Sequence, residues 1–175
     1  MDNANLWKSF ENNDISHSVA HYLMAIDELT VNQRLCHAAN VARHLDVSRN
    51  AVSLKLQQLV KQALVELDED RQIHLTEQGR EAVANIVSAR RAFFHFLTDF
   101  LGVNEATAEE DSCKVEHLLS AQTTQQLLRF AKYMQSNPKD SRALIDSFNA
   151  FNASCNPEDN GCDLCHHGCR MGDAT

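Results

Sequence analysis

Residues 36–79 read CHAANVARHLDVSRNAVSLKLQQLVKQALVELDEDRQIHLTEQG, and the fold is decided there. A short helical pattern, CHAANVARHL, meets the tight polar turn Asp46-Val47-Ser48, and a longer helix then runs from Arg49 to about Gln62 with Ser48 as its N-cap. On that longer helix Val52, Leu56, Leu59 and Val60 share one face, whereas Arg49, Asn50, Ser53 and Gln57 share the other, with Lys55 at its flank. One face docks onto a core and the other offers hydrogen bonds to a partner, which is helix-turn-helix organisation with a second helix suited to a major groove. Two short alternating runs, Leu64 to Leu67 and Ile73 to Leu75, flank the polar turn Asp68-Glu69-Asp70-Arg71 and predict a two-stranded wing.

Upstream, residues 16–30 place Val19, Tyr22, Leu23, Ile26 and Leu29 at helical spacing and leave His17, His21, Asp27 and Glu28 on a polar face. Downstream, Thr76 caps a helix predicted from Glu77 to Leu101, with Ala82, Ile86, Phe93, Phe94, Leu97 and Leu101 in period as far as Gly102. Further helical patterns cover about Glu105 to Leu119, Thr123 to Met134 and Ser141 to Phe151, with Asn137-Pro138 as a break. The expectation is a mainly α protein with a small two-stranded β-wing. It divides into a winged helix-turn-helix DNA-binding domain (1–77), a helical domain (78–151) and a Cys-rich tail (152–175).

At 175 residues and 43% hydrophobic content the chain can bury a real core, and only two prolines and five glycines interrupt it. The start, MDNANLWKSFENNDIS, lacks a charged-then-apolar leader, and no stretch is long and apolar enough to span a bilayer, so a cytoplasmic protein without a membrane partner is expected. A net charge of -8 excludes general nucleic-acid coating. Residues 32–62, however, carry Arg34, Arg43, Arg49, Lys55 and Lys61 against Asp46 alone, a local +4 that fits a focused DNA contact.

Cys113-x-x-Glu116-His117 gathers a thiolate, a carboxylate and an imidazole at i, i+3 and i+4, one face of a helix, and three such ligands need a fourth from elsewhere. With this set in place, the chain resembles the diphtheria-toxin-repressor family of metal-dependent regulators, which includes the manganese transport regulators, from about Ser16 to Asn137. HYLMAIDEL, VARHLDVSRNAVSLKLQQLV, IHLTEQG, FLTDFLGV and CKVEHLLS carry the resemblance.

The resemblance implies a homodimer on a palindromic double-stranded operator, with metal as corepressor. It makes residues 78–151 the metal-binding and dimerisation domain, with a metal site that joins the first helix to the later one. Cys113, Glu116 and His117 match family ligand positions, and His21 stands where members carry methionine or aspartate. Met24 corresponds to a ligand of the manganese branch only. Arg90, Phe94 and Glu109 occupy positions where a second site would have histidine, glutamate and histidine, so one metal site is expected and not two.

A thiolate, two imidazoles and one carboxylate suit Fe(II), with Zn(II) next and Mn(II) less so. For DNA, Ser48, Arg49, Asn50, Ser53 and Gln57 are the candidates near bases or phosphates, and Arg43, Lys55 and Lys61 for positioning the backbone. Cys36 reads as a small apolar core residue, and His95 as a packed one.

The tail supplies Cys155, Cys162, Cys165 and Cys169, the ligand count of an iron-sulfur cluster or, alternatively, a structural zinc. A rival regulator would therefore sense through a tail cluster. From another class, a metalloenzyme or metal-storage module could use the same ligands, but no further acid, base or nucleophile is arranged for catalysis, so no enzyme is expected.

Overall fold

The computed structural model describes residues 15–33 and 36–151; the first fourteen residues, Arg34 and the tail cysteines Cys155, Cys162, Cys165 and Cys169 lie outside them. Helix α1 (His17–Gln33) forms on its apolar stripe, and Val19, Tyr22, Leu23, Ile26 and Leu29 are all buried. Helix α2 (Ala38–His44) and helix α3 (Arg49–Lys61) follow, joined by a turn in which Asp46 takes the left-handed conformation at φ 51°. Ser48 caps α3 by accepting the Ala51 N–H at 3.1 Å. Val52, Leu56 and Leu59 of α3 are buried as expected, but Val60 is 43% exposed: the apolar stripe is one residue narrower than the sequence suggested. Cys36 is buried in the same core, where desolvation pushes its thiol up to about 11.

Strands β1 (Val65–Leu67) and β2 (Ile73–Leu75) pair antiparallel with Val65 opposite Leu75 and Leu67 opposite Ile73. At the wing's tip the Asp68 carboxylate accepts the Gln72 N–H at 2.8 Å and pairs with the His74 ring at 2.8 Å. The His74 hydrogen bond, aided by Gln72, holds the Asp68 carboxyl below the usual carboxylate range.

Helix α4 (Glu77–His95) starts at Thr76, which accepts the Gly79 N–H at 3.0 Å. Instead of continuing as an α-helix to Leu101, the chain loosens into a π-helical turn over Phe96–Phe100, and Gly102 ends it at φ 67°. Phe96 and Phe100 from this turn pack on Phe130 with ring centroids 6.2 and 4.8 Å away. Helix α5 (Glu105–Val115) is capped by Asn104 and stops earlier than its sequence pattern. Helices α6 (Ala121–Ser136) and α7 (Pro138–Asn149) follow. Asn137-Pro138 is a break, as expected, but Pro138 also opens α7 from its first turn, where the missing N–H costs nothing.

Of the described residues, those up to Lys132 belong to one compact unit and those from Tyr133 to a second, in which the buried Ser141 hydroxyl donates to the Met134 carbonyl at 2.6 Å. The first unit's core gathers α1, α2, α3, both strands and the start of α4. Among the described residues no helix is long and apolar enough to cross a membrane.

Gly79 seats α4 against the wing. A Cβ there would lie 2.0 Å from the Leu64 carbonyl oxygen, backbone that cannot step aside without moving the strand it leads into. Gly79→Ala should therefore destabilise the protein by about 2–4 kcal/mol despite alanine's better helix propensity, read as a lowered midpoint in urea. An unchanged or raised midpoint would show that the helix can slide off Leu64.

Candidate metal centre

His17 and His21 lie one turn apart on α1, and Cys113 and Glu116 one turn apart across the end of α5. The fold brings the two pairs together. One donor atom from each of the four residues lies within 4.8 Å of every other. Cys113 Sγ and His21 Nε2 are 3.3 Å apart, close to the roughly 3.5 Å that a thiolate and an imidazole would span on one tetrahedral ion. Of the expected ligands, His21, Cys113 and Glu116 thus meet. His117 stands next to them, its ring centroid 5.3 Å from that of His17, and with Glu116 it lines a cleft of about 1030 Å³ that Asn85, Gln122 and Thr124 also border.

His17 is the residue that sequence reasoning missed. It was counted on the polar face of α1, yet its ring packs edge-on to His21 at 4.5 Å. An i, i+4 histidine pair was the available signal.

Glu116 is the unusual member. Its side chain is wholly buried, and neither carboxylate oxygen accepts a hydrogen bond. Its nearest counter-charge is the Arg90 guanidinium at 3.6 Å, and Arg90 also pairs with Glu109. Burial raises the Glu116 carboxyl, opposed by Arg90. Desolvation likewise raises the Cys113 thiol, with Glu116 adding to it.

For the histidines, burial lowers His21 first, then the charges of His17 and Arg90; His117 is lowered by burial, then His17 and His21. Both imidazoles are thereby kept neutral, the form that offers a lone pair to a metal. These residues fit a divalent ion. A buried carboxylate short of donors, two imidazoles and a thiol at ligand spacing form a mixed N, S and O set of the kind that holds Fe(II) or Zn(II). The ion would hold α1 and α5 together.

A pH dependence follows. Groups whose folded pKa is depressed contribute stability that is present above the unfolded value and lost as pH falls through the folded one. His21 and His117 should therefore cost the metal-free protein stability below about pH 6.5, their ordinary value, while the raised Glu116 carboxyl pulls the other way as it protonates. Thermal melts in chelator from pH 7.5 to 5.0 measure this, and His21→Asn should flatten the slope. A slope that stays the same or steepens in His21→Asn would contradict the sign.

Of the DNA candidates, Arg43, Ser48, Arg49, Asn50, Ser53, Gln57 and Lys61 are exposed on α2, the turn and α3. Lys55 is half-buried, donating to Gln58 at 3.1 Å with its ammonium 6.0 Å from the Tyr22 ring centre. Leu54, 69% exposed on α3, was not among the candidates.

Residues 76–144 match the family described as iron dependent repressor, metal binding and dimerisation domain. An uncharacterised HTH-type transcriptional regulator of Methanocaldococcus jannaschii is 32% identical over 117 residues, covering 66% of this chain and 94% of that protein. The diphtheria toxin repressor of Corynebacterium diphtheriae is 25% identical over 125 residues, covering 71% of this chain and 55% of that repressor. Among solved structures, the manganese regulator SloR aligns with a TM-score of 0.57 at 25% identity, over 65% of this chain and 53% of its own. The chain thus covers nearly all of the first of these proteins, but only about half the length of the other two.

Proposed function

The chain belongs to the diphtheria-toxin-repressor family of metal-dependent transcriptional regulators, and from that premise we propose that it represses transcription in the cytoplasm as a homodimer on a palindromic operator, with a divalent metal ion as corepressor. The observation that carries this is the four-donor cluster: two ligands sit on α1, part of the helix-turn-helix core, and two at the end of α5. An ion held by His17, His21, Cys113 and Glu116 restrains α1 relative to α5. Ordering of this kind raises the fraction of dimer whose two α3 helices match adjacent half-sites. On the DNA side Arg49, Asn50, Ser53 and Gln57 face the bases or phosphates, Ser48 serves chiefly as the α3 cap, and Arg43, Lys55 and Lys61 contribute positive charge toward the backbone.

Within this proposal residues 1–77 bind DNA and 78–151 bind metal and dimerise. The donor set favours Fe(II), with Zn(II) second. His117 serves as an additional donor at the edge of the set, since its ring lies beside that of His17. Cys155, Cys162, Cys165 and Cys169 hold a separate iron-sulfur cluster, a proposal supported by their number and spacing alone.

One experiment tests the switch. An operator is first selected from a random duplex pool with the iron-loaded protein, and binding is then measured anaerobically with Fe(II) or with chelator. Tight binding with Fe(II) and at least tenfold weaker binding without it are expected; equal affinity overturns the proposal. Repeating it with Cys162→Ser and Cys165→Ser together separates the two metal locations. Iron-dependent binding that survives assigns the switch to the α1–α5 centre, and binding that loses its iron dependence assigns it to the tail.

A further inference from the structure

Arg90 has no place in the four-donor set, yet it sits behind it. Its guanidinium lies on the inner part of α4, and its two terminal nitrogens reach different carboxylates: one pairs with Glu109 on α5 and the other with Glu116, 3.6 Å away. Glu116 is buried with no hydrogen bond to either oxygen, and among the described residues its carboxylate is paired with Arg90. The field of the same guanidinium also reaches Cys113 and His21.

We propose that Glu109, Arg90 and Glu116 form a positioning relay, in which Glu109 fixes the guanidinium and the guanidinium fixes the Glu116 carboxylate for a metal ion on its other side. The proposal rests on the metal centre argued above. Arginine suits the task because its planar fork serves two carboxylates at once, which a lysine ammonium on a flexible stem does less well. Partners behind metal ligands orient them, and their loss typically weakens metal affinity 10- to 100-fold. The relay has a second consequence: the Arg90 guanidinium supplies the positive charge that Glu109 and Glu116 face at this corner of α4 and α5.

Co(II) is the probe, added to the full metal-free chain under anaerobic conditions. Affinity is measured by chelator competition, and the visible spectrum reports both the thiolate-to-cobalt charge-transfer band and the ligand-field bands that depend on coordination geometry. Arg90→Met should weaken Co(II) about 10- to 100-fold and shift the ligand-field bands while keeping the charge-transfer band, because Cys113 still ligates. Arg90→Lys should fall between wild type and Arg90→Met. Glu109→Gln, a change at an exposed side chain that leaves the fold intact, should move affinity and spectrum in the same direction by less.

Wild-type affinity with an unshifted spectrum in both Arg90→Met and Glu109→Gln overturns the relay. Tighter binding in either variant also overturns it, since the guanidinium would then be only a competing charge. If Arg90→Met does not fold, Glu109→Gln decides alone. A wild-type chain that gives no thiolate-to-cobalt band overturns the metal centre and the relay together, an outcome distinct from the variant results.

Discussion

Cys113→Ala will leave the protein folded and remove its response to metal. Cys113 contributes one of four donors, and its sulfur lies 3.3 Å from the His21 nitrogen, so its loss opens one corner of the cluster. Removing a partner behind a ligand costs about 10- to 100-fold in affinity; removing a ligand outright should cost at least about 100-fold. The thiol is only half-buried and makes no part of the apolar core, so circular dichroism and the metal-free melting midpoint should stay close to wild type. Operator binding with Fe(II) should then fall to the level seen with chelator. A variant that keeps a metal-dependent gain in operator affinity would place the switch elsewhere.

The second large effect moves two properties in opposite directions. Glu116 is a carboxylate inside the protein whose pKa is raised by burial and whose oxygens accept no hydrogen bond. Replacing a buried ion pair by apolar side chains of similar volume is often neutral or stabilising, by up to about 1–4 kcal/mol, and removing one partner is costly chiefly where the other is left buried and unpaired. Glu116→Met should raise the metal-free stability by about 1 kcal/mol, since Arg90 keeps Glu109 as a partner. The same change removes an oxygen donor and should weaken Fe(II) or Zn(II) at least about 100-fold. Chemical denaturation in chelator and a metal titration measure the two halves. A destabilised metal-free variant would mean that the Arg90–Glu116 pair holds the fold more than it holds an ion.

The elements formed by local pattern were legible beforehand. Helix α3, its Ser48 cap and the wing follow from period, cap and turn within a few residues, and each stands where expected. Half of the candidate metal centre was legible for the same reason, because Cys113 and Glu116 share a helix face whatever surrounds them. The other half was not. His17 differs from any surface histidine only through the approach of α5, ninety-six residues later. Arg90 could be seen to depart from the ligand pattern, but not that it would pair with Glu109 and Glu116. The π-helical turn at Phe96–Phe100 was missed because a five-residue deviation in winding barely alters an apolar period that Phe96, Leu97 and Phe100 satisfy in either form. Pro138 was taken as a stop and is also a start, since proline suits the first turn of the next helix.

Gly79 and Arg90 lie on one uninterrupted helix, the first wedged against the backbone at the base of the wing and the second touching the carboxylate proposed to grip the ion. Eleven residues separate them, about 16 Å of rise. Helix α4 is thus a stiff lever whose fulcrum is a missing side chain. With that end pinned, a tilt of only about 5° at the fulcrum displaces Arg90 by about 1.4 Å over this length, enough to make or lose an ion pair. An ion bound at the proposed centre would therefore be geared to wing placement at the other end, with the gear ratio set by where the glycine falls.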